Sequence, residues 1–237
     1  MSDPRVEVMA YTMLTQQAEK ILSTQPGVED ADHLAELTGR DCYQSHDRPN
    51  PLTAKTEDYI QRNLVGKQHF SVLEHGTVTI RFTNVSRSFT HELVRHRHFS
   101  FSQLSQRYVT PEDQQYVVPP EIRDWPNDGQ RARLMQLLDE AWDKALETYA
   151  EIEEILSSAK NLSSKRIRQA SRSVMPNMTD TIINVTGNHR AWREFLEKRL
   201  GVSPSGEPHA DLEMFEVAMA VLGELKKIAP ATYADFE

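Results

Sequence analysis

Residues 77–83 (TVTIRFT) alternate Val78, Ile80 and Phe82 with polar neighbours, a period of two that predicts a half-buried strand. Phe99 and Phe101 alternate with Ser100 and Ser102, and 180–186 (DTIINVT) repeats the pattern, so two further extended stretches are expected. Elsewhere the period lengthens. Over 131–157, Leu134, Leu138, Ala141, Ala145, Tyr149, Ile152 and Leu156 fall three or four apart, predicting a long amphipathic helix with an acidic outer face, for which another subunit is a candidate partner. Leu212, Phe215, Met219 and Leu222 start a second such helix that runs up to Pro230, and shorter helices fit 53–65, 86–97, 163–174 and 189–200. Pro49 and Pro51, Pro119 and Pro120, and Pro204 to Pro208 punctuate the chain without a linker long enough to free a domain. Dominant helices with few, non-consecutive strands predict an α+β fold.

The 237 residues suit one elaborated domain or two small, intimate ones, and 38% hydrophobic with 26% charged residues is polar yet short of a disordered composition. No apolar run approaches the roughly 18 residues of a membrane span, and MSDPRVEVMAY lacks the blocks of a signal peptide. A soluble, cytoplasmic protein is expected. The single cysteine, Cys42, excludes an internal disulfide and any multi-cysteine metal site, and is expected to be a small buried residue without a catalytic role.

Net charge is −8, but basic residues are concentrated in islands. Residues 81–107 hold five arginines against Glu92 alone; 160–179 hold Lys160, Lys165, Arg166, Arg168 and Arg172 with no acid; 189–199 add a net two positive charges. Such islands in an acidic body favour focused sites for small anions over general nucleic-acid binding. No GxGxxG occurs, and GVSPSGEP at 201–208 puts Glu207 and Pro208 where a P-loop needs Lys and Ser/Thr, so any bound phosphate falls to guanidinium groups.

Chemistry is densest in HELVRHRHFSFSQLSQRYV, residues 91–109. HELVR differs from the zinc motif HExxH by carrying Arg95 at the second ligand position, and no metal site is expected there. Arg95 and Arg97 can clamp one polyanion only if the chain leaves the helix; the plain alternative is a solvated basic helix end. In WREFLEKR, Trp192, Phe195, Leu196 and Arg199 share one helical face, which puts a guanidinium on an apolar stripe. An anionic ligand would relieve the cost of burying it, as would snorkelling at the helix end. Arg168 and Arg172, four apart without an acid, read either as a phosphate clamp or as a solvated basic face. HFSVLEH at 69–75 offers His69, Glu74 and His75 as site contacts or as a satisfied structural group.

Arg95, His96 and Arg97, then seven residues, then Ser105 resemble the signature of the flavin-dependent thymidylate synthases. HFSVLEH, the run from Arg172 to Pro176, GNHRAWREF and HADLEMFEVA match the same family in order, so the resemblance spans about Gly39 to the C-terminus. It implies a single domain over 1–237, α+β and mostly helical with a small antiparallel sheet. It also implies reductive methylation of dUMP to dTMP, with methylenetetrahydrofolate as carbon donor and NADPH-reduced FAD as hydride donor, in a homotetramer whose sites are shared between subunits.

Carried over by position, His69, Ser71, Arg95, His96, Arg97, Gln103, Asn188 and Arg190 would hold FAD. Glu92, Leu93, Val94, Arg95, Gln103, Leu104, Ser105, Gln106, Arg107, Arg172 and Arg199 would surround dUMP, and Arg199 would be catalytic, stabilising an anionic pyrimidine. Three departures stand out: Gln103 where the family often has Glu, Glu92 where it often has Gln, and a longer connection through LGVSPSGEP. Glu194 falls where a neutral or basic flavin contact is common and is left out of the site. Rival readings are a non-catalytic nucleic-acid-binding protein that stacks bases on Phe99, Phe101 and Tyr108, and a zinc hydrolase built on HELVR and HFSVLEH.

Overall fold

The computed structural model describes residues 4–111 and 114–236. Its elements run β1 (Arg5–Tyr11), α1 (Gln16–Ile21), α2 (Asp30–Asp41), α3 (Thr56–Tyr59), β2 (Thr77–Ser86), α4 (Arg87–Leu93), β3 (Ser100–Gln103), α5 (Pro120–Arg123), α6 (Asp128–Ser157), α7 (Ser164–Ser171), β4 (Asp180–Asn188), α8 (His189–Arg199) and α9 (Leu212–Ile228). The fold is α+β: helices surround one antiparallel sheet of order β1-β2-β4-β3.

Alternation along β2 and β4 turns Val78, Ile80, Phe82, Ile183 and Val185 onto one sheet face, where they are fully buried under Trp192, Phe195 and Leu196 of α8 and Met214, Val217, Val221 and Leu225 of α9. Between Phe82 and Val85 the register with β4 shifts; Asn84 takes φ 56°, and the bulge lets Val85 return to the core. Phe99 lies across Gly187 so closely that a Cβ there would come within 2.3 Å of its ring, and its centroid is 4.4 Å from that of Trp192. That contact fixes the end of the arginine-rich segment against the sheet.

Several elements depart from the periodicity. The helix expected over 86–97 ends at Leu93, and 53–65 divides into a 3₁₀ turn (Pro51–Thr53), α3 and a π-helical turn (Ile60–Val65). Helix α7 stops at Ser171 and continues as a 3₁₀ turn, Arg172–Val174. Strand β1 and helix α2 were not expected. Cys42, expected to be buried, is exposed at the end of α2. Helix α6 has the predicted stripe, but over its 30 residues buries only Trp142 and Tyr149. No helix of the described residues is long and apolar enough to cross a membrane.

The C-terminal segment is tied to α2 and α8. Asp32 accepts from Ala231 N (2.8 Å), Thr232 N (3.0 Å) and Thr232 Oγ1 (2.6 Å); Arg193 makes a paired contact with Asp235 at 2.7 Å; His189 Nδ1 lies 2.9 Å from the Tyr233 hydroxyl. Burial pushes Asp32 up to about 6 and His189 down to about 4. The signs oppose. Asp32 adds stability at low pH that is lost as pH rises through about 6, whereas His189 adds stability above its ordinary value that is lost as pH falls through about 4. Replacing His189 with Gln, which does not titrate, should therefore narrow the native-minus-variant stability difference by about 3 kcal/mol between pH 7 and pH 4. Urea unfolding at the two pH values checks this; a difference independent of pH would contradict a neutral buried imidazole.

Candidate active site

Helix α4 ends where its next residues have better places to go. Leu93 is fully buried in the sheet core, and His96 turns inward onto Phe195 and Phe99, with ring centroids 5.2 and 5.9 Å away. A tight turn closed by Arg95 N to Glu92 O and His96 N to Leu93 O leaves Arg95 and Arg97 exposed on either side of the buried imidazole. Neither guanidinium has a partner among the described residues. Leu93 can offer a ligand only its backbone, whereas Val94 is exposed.

Arg199, on the last turn of α8, reaches this turn with three donors. Its Nε donates to His96 Nε2 at 3.1 Å, Nη1 donates to the Glu92 carboxylate, and Nη2 donates to the Glu92 carbonyl at 3.2 Å. The anion that relieves the guanidinium on the apolar stripe is thus Glu92. Burial, then the Arg199 charge, pushes His96 down to about 4. A neutral imidazole accepting at Nε2 carries its proton on Nδ1.

Three other segments meet at the start of β4. Gln103 Nε2 donates to Thr90 Oγ1 (3.2 Å) and Thr181 Oγ1 (3.4 Å), and Leu104 N donates to Ile182 O at 2.8 Å. Arg87 N and Ser88 N donate to the carbonyls of Thr179 and Asn177, bringing the start of α4 beside the strand. Ser105 Oγ accepts from Arg107 N at 3.4 Å within the turn that follows β3. Burial and the neighbouring charge of Arg172 hold the Arg87 guanidinium below its ordinary value. Neither Arg87 nor Arg172 forms an ion pair among the described residues. Gln106 Nε2 and Arg168 Nε are buried with no hydrogen-bond partner. Unsatisfied donors and adjoining cations without an acid fit a polyanionic ligand.

At the opposite end of α8, Asn188 caps the helix by accepting from Ala191 N at 2.8 Å, and Arg190 pairs with Glu74. Arg190 lines two cavities. One, of about 690 Å³, is bounded by His69, Ser71, Tyr43 and Arg40, with Cys42 on its wall; the other, of about 260 Å³, is bounded by Asn188, Glu74, His98 and Glu194. The larger is of the size that holds organic cofactors.

Geometry therefore joins Glu92, His96 and Arg199 in one hydrogen-bonded group, pairs Gln103 and Leu104 with β4 ahead of the turn that carries Ser105 to Arg107, sets Arg172 beside Arg87, and places His69, Ser71, Asn188 and Arg190 around cavities. It does not merge these within one chain: Arg190 and Arg199 lie nine positions apart on α8, about 14 Å of rise. Of the three rings on which the nucleic-acid alternative would stack bases, Phe99 is 8% exposed beneath the sheet contact, whereas Tyr108 is exposed. Two residues without an assigned role come into view: Arg87 beside Arg172, and Glu194 on the wall of the smaller cavity. Arg87 was visible in the sequence only as one member of a basic island.

A family profile described as "Thymidylate synthase complementing protein" (Thy1) matches residues 21–231. The flavin-dependent thymidylate synthase of Mycobacterium tuberculosis (strain H37Rv) is 47% identical over 221 residues, covering 90% of this chain and 83% of that protein. The enzyme of the same description from Mycolicibacterium vanbaalenii is 44% identical over 242 residues, covering 98% and 90%.

Proposed function

This chain belongs to the Thy1 family of flavin-dependent thymidylate synthases, and from that membership we propose how its residues serve the reductive methylation of dUMP to dTMP. The enzyme uses FAD. In our reading methylenetetrahydrofolate supplies the carbon, NADPH supplies the electrons, and the chain works in the cytoplasm as one domain over 1–237.

The residues fit a flavin dinucleotide. A 690 Å³ cavity opens beside His69, Ser71 and Arg190, and Arg95 and Arg97 stand exposed without partners as cations for a diphosphate. His96 sets those two arginines apart, Asn188 fixes the start of α8, and Gln103 closes the set. FAD, when reduced, supplies the hydride that completes the methyl group.

The observation that carries the substrate assignment is the buried, unpartnered Gln106 Nε2 together with the adjoining Arg87 and Arg172, neither of which forms an ion pair among the described residues. Arg172, with Arg87 and Arg107, neutralises the phosphate of dUMP; Gln103, Leu104, Ser105 and Gln106 hold the nucleotide along the turn after β3; Glu92 to Arg95 border the ring. Arg199 turns from Glu92 to the pyrimidine. There its fork stabilises negative charge on the ring oxygens while C5 attacks the methylene carbon, in a site where neutral His96 adds no competing cation.

The cofactor residues are themselves divided, with Asn188 and Arg190 at one end of α8 and Arg95, His96 and Arg97 beside Arg199 at the other, and α6 carries an apolar stripe that its own chain leaves mostly half-buried. Both support a homotetramer with composite sites. A visible spectrum of the purified protein tests the function: a flavin band should bleach with NADPH under anaerobic conditions and return only when dUMP and methylenetetrahydrofolate are both added. A colourless protein that fails to take up FAD would overturn the assignment.

A further inference from the structure

Arg87 is half-buried, and no acid among the described residues pairs with it, so its placement falls to its backbone. Its charged neighbour, Arg172, pushes it away until an anion lies between them, and the backbone has to resist that repulsion. That backbone lies at a junction without a loop: Ser86 is both the last residue of β2 and the N-cap of α4. The first amides of α4 all find partners outside the helical ladder. Arg87 N and Ser88 N donate to the carbonyls of Thr179 and Asn177 at 3.0 and 3.1 Å, and Phe89 N donates to Ser86 Oγ at 3.0 Å.

Ser86 is 3% exposed and is itself held by Glu213, on the first turn of α9. Its N donates to Glu213 Oε1 at 2.7 Å and its hydroxyl donates to Oε2 at 2.5 Å. A serine hydroxyl has one proton, so donating to Glu213 while accepting from Phe89 N fixes its orientation. The carboxylate stands on a stiff support, because Met214, Val217, Val221 and Leu225 of α9 are fully buried in the core. Farther along, α4 has anchors of its own: Phe89, Thr90 and Leu93 are buried, and Thr90 Oγ1 accepts from Gln103. Glu213 therefore acts on the first turn, where Arg87 stands.

We infer that Glu213 is a positioning residue of the dUMP site: by clamping both polar groups of Ser86 it fixes the first turn of α4 and sets Arg87 beside Arg172 for the phosphate. The inference rests on the assignment of Arg87 to that phosphate.

Calorimetric titration of the flavin-loaded protein with dUMP, run as a double-mutant cycle, tests it. Glu213→Ala removes both acceptors and should weaken dUMP binding about tenfold, within the range of coupling between residues that share a network. Glu213→Gln keeps an acceptor for Ser86 N but turns an amide donor toward the hydroxyl, and its affinity should fall between those of alanine and native protein. It keeps the side-chain volume as well, so it reads the same coupling where alanine does not fold. In an Arg87→Ala background either substitution should change dUMP affinity by less than about twofold, because the group being positioned is gone. A purely structural clamp would lower the thermal midpoint and leave the cycle additive. Losses of equal size in both backgrounds, or no loss in either, would overturn the inference while leaving the dUMP site intact. Native dUMP affinity in Arg87→Ala would instead overturn the phosphate assignment itself.

Discussion

Replacing Arg199 with alanine should lower dTMP formation by at least about 10²-fold, the scale on which loss of a single preorganised donor to a developing anion is felt. Flavin should stay bound and reducible. The expectation follows from where the side chain stands: its three donors converge on Glu92 and His96 at the C-terminal end of α8, while Asn188 and Arg190 occupy the other end. The Arg199 and Glu92 side chains are 17% and 25% exposed, so water can partly replace the lost partner and the fold should survive. Arg199→Lys separates charge from geometry. A lysine restores a point cation but not the planar fork that spans an imidazole, a carboxylate and a carbonyl, and activity between that of alanine and that of arginine is expected. Single-turnover formation of dTMP from pre-reduced enzyme is the measurement. Normal turnover by Arg199→Ala would remove it from the chemistry.

Arg199 also shows what the sequence could disclose. Its helical spacing put a guanidinium on an apolar face and left open an anionic ligand or a snorkelling side chain, but the carboxylate it meets lay 107 residues upstream, in a pairing no local period encodes. The same limit explains helix α2. There Asp32, His33, Glu36 and Arg40 are buried beside Ala31, Ala35, Leu37 and Gly39: Arg40 Nε donates to Glu36 at 2.6 Å, and Asp32 receives the C-terminal backbone. A helix whose inner face mixes charged residues with small apolar ones has no clear hydrophobic stripe to read. In β1, Val6 and Val8 alternate, but a register shift between Val8 and Ala10 breaks the period before it can declare a strand. Strands β2 and β4 and helices α6, α8 and α9 were legible because their apolar residues recur at the strand or helix period.

The arginine-rich motif was legible as chemistry and misleading as structure. Histidine and arginine fit a helix as well as a turn, so nothing local stops the helix before position 97. The stop comes from tertiary packing, with Leu93, His96 and Phe99 each reaching the core from a chain that must turn to bring them there.

That same packing makes Arg95 and Arg97 clean probes. Their side chains are exposed and meet no described partner, so truncating either should change stability by no more than about 0.5 kcal/mol. Each should nevertheless weaken FAD binding by about 10- to 100-fold, the loss of one charge-assisted contact. The ratio of flavin to protein absorbance after purification, with FAD titration and a thermal midpoint, reads both quantities at once. A lowered midpoint would place the arginines in the fold, and full flavin occupancy would remove them from the cofactor site. The two variants should also differ. Arg95 is assigned to both ligands and Arg97 to flavin alone, so dUMP affinity of the flavin-saturated protein should fall in Arg95→Ala and hold in Arg97→Ala. Because His96 anchors the turn between them and receives Arg199, the flavin-side cations and the substrate-side guanidinium are built on one imidazole.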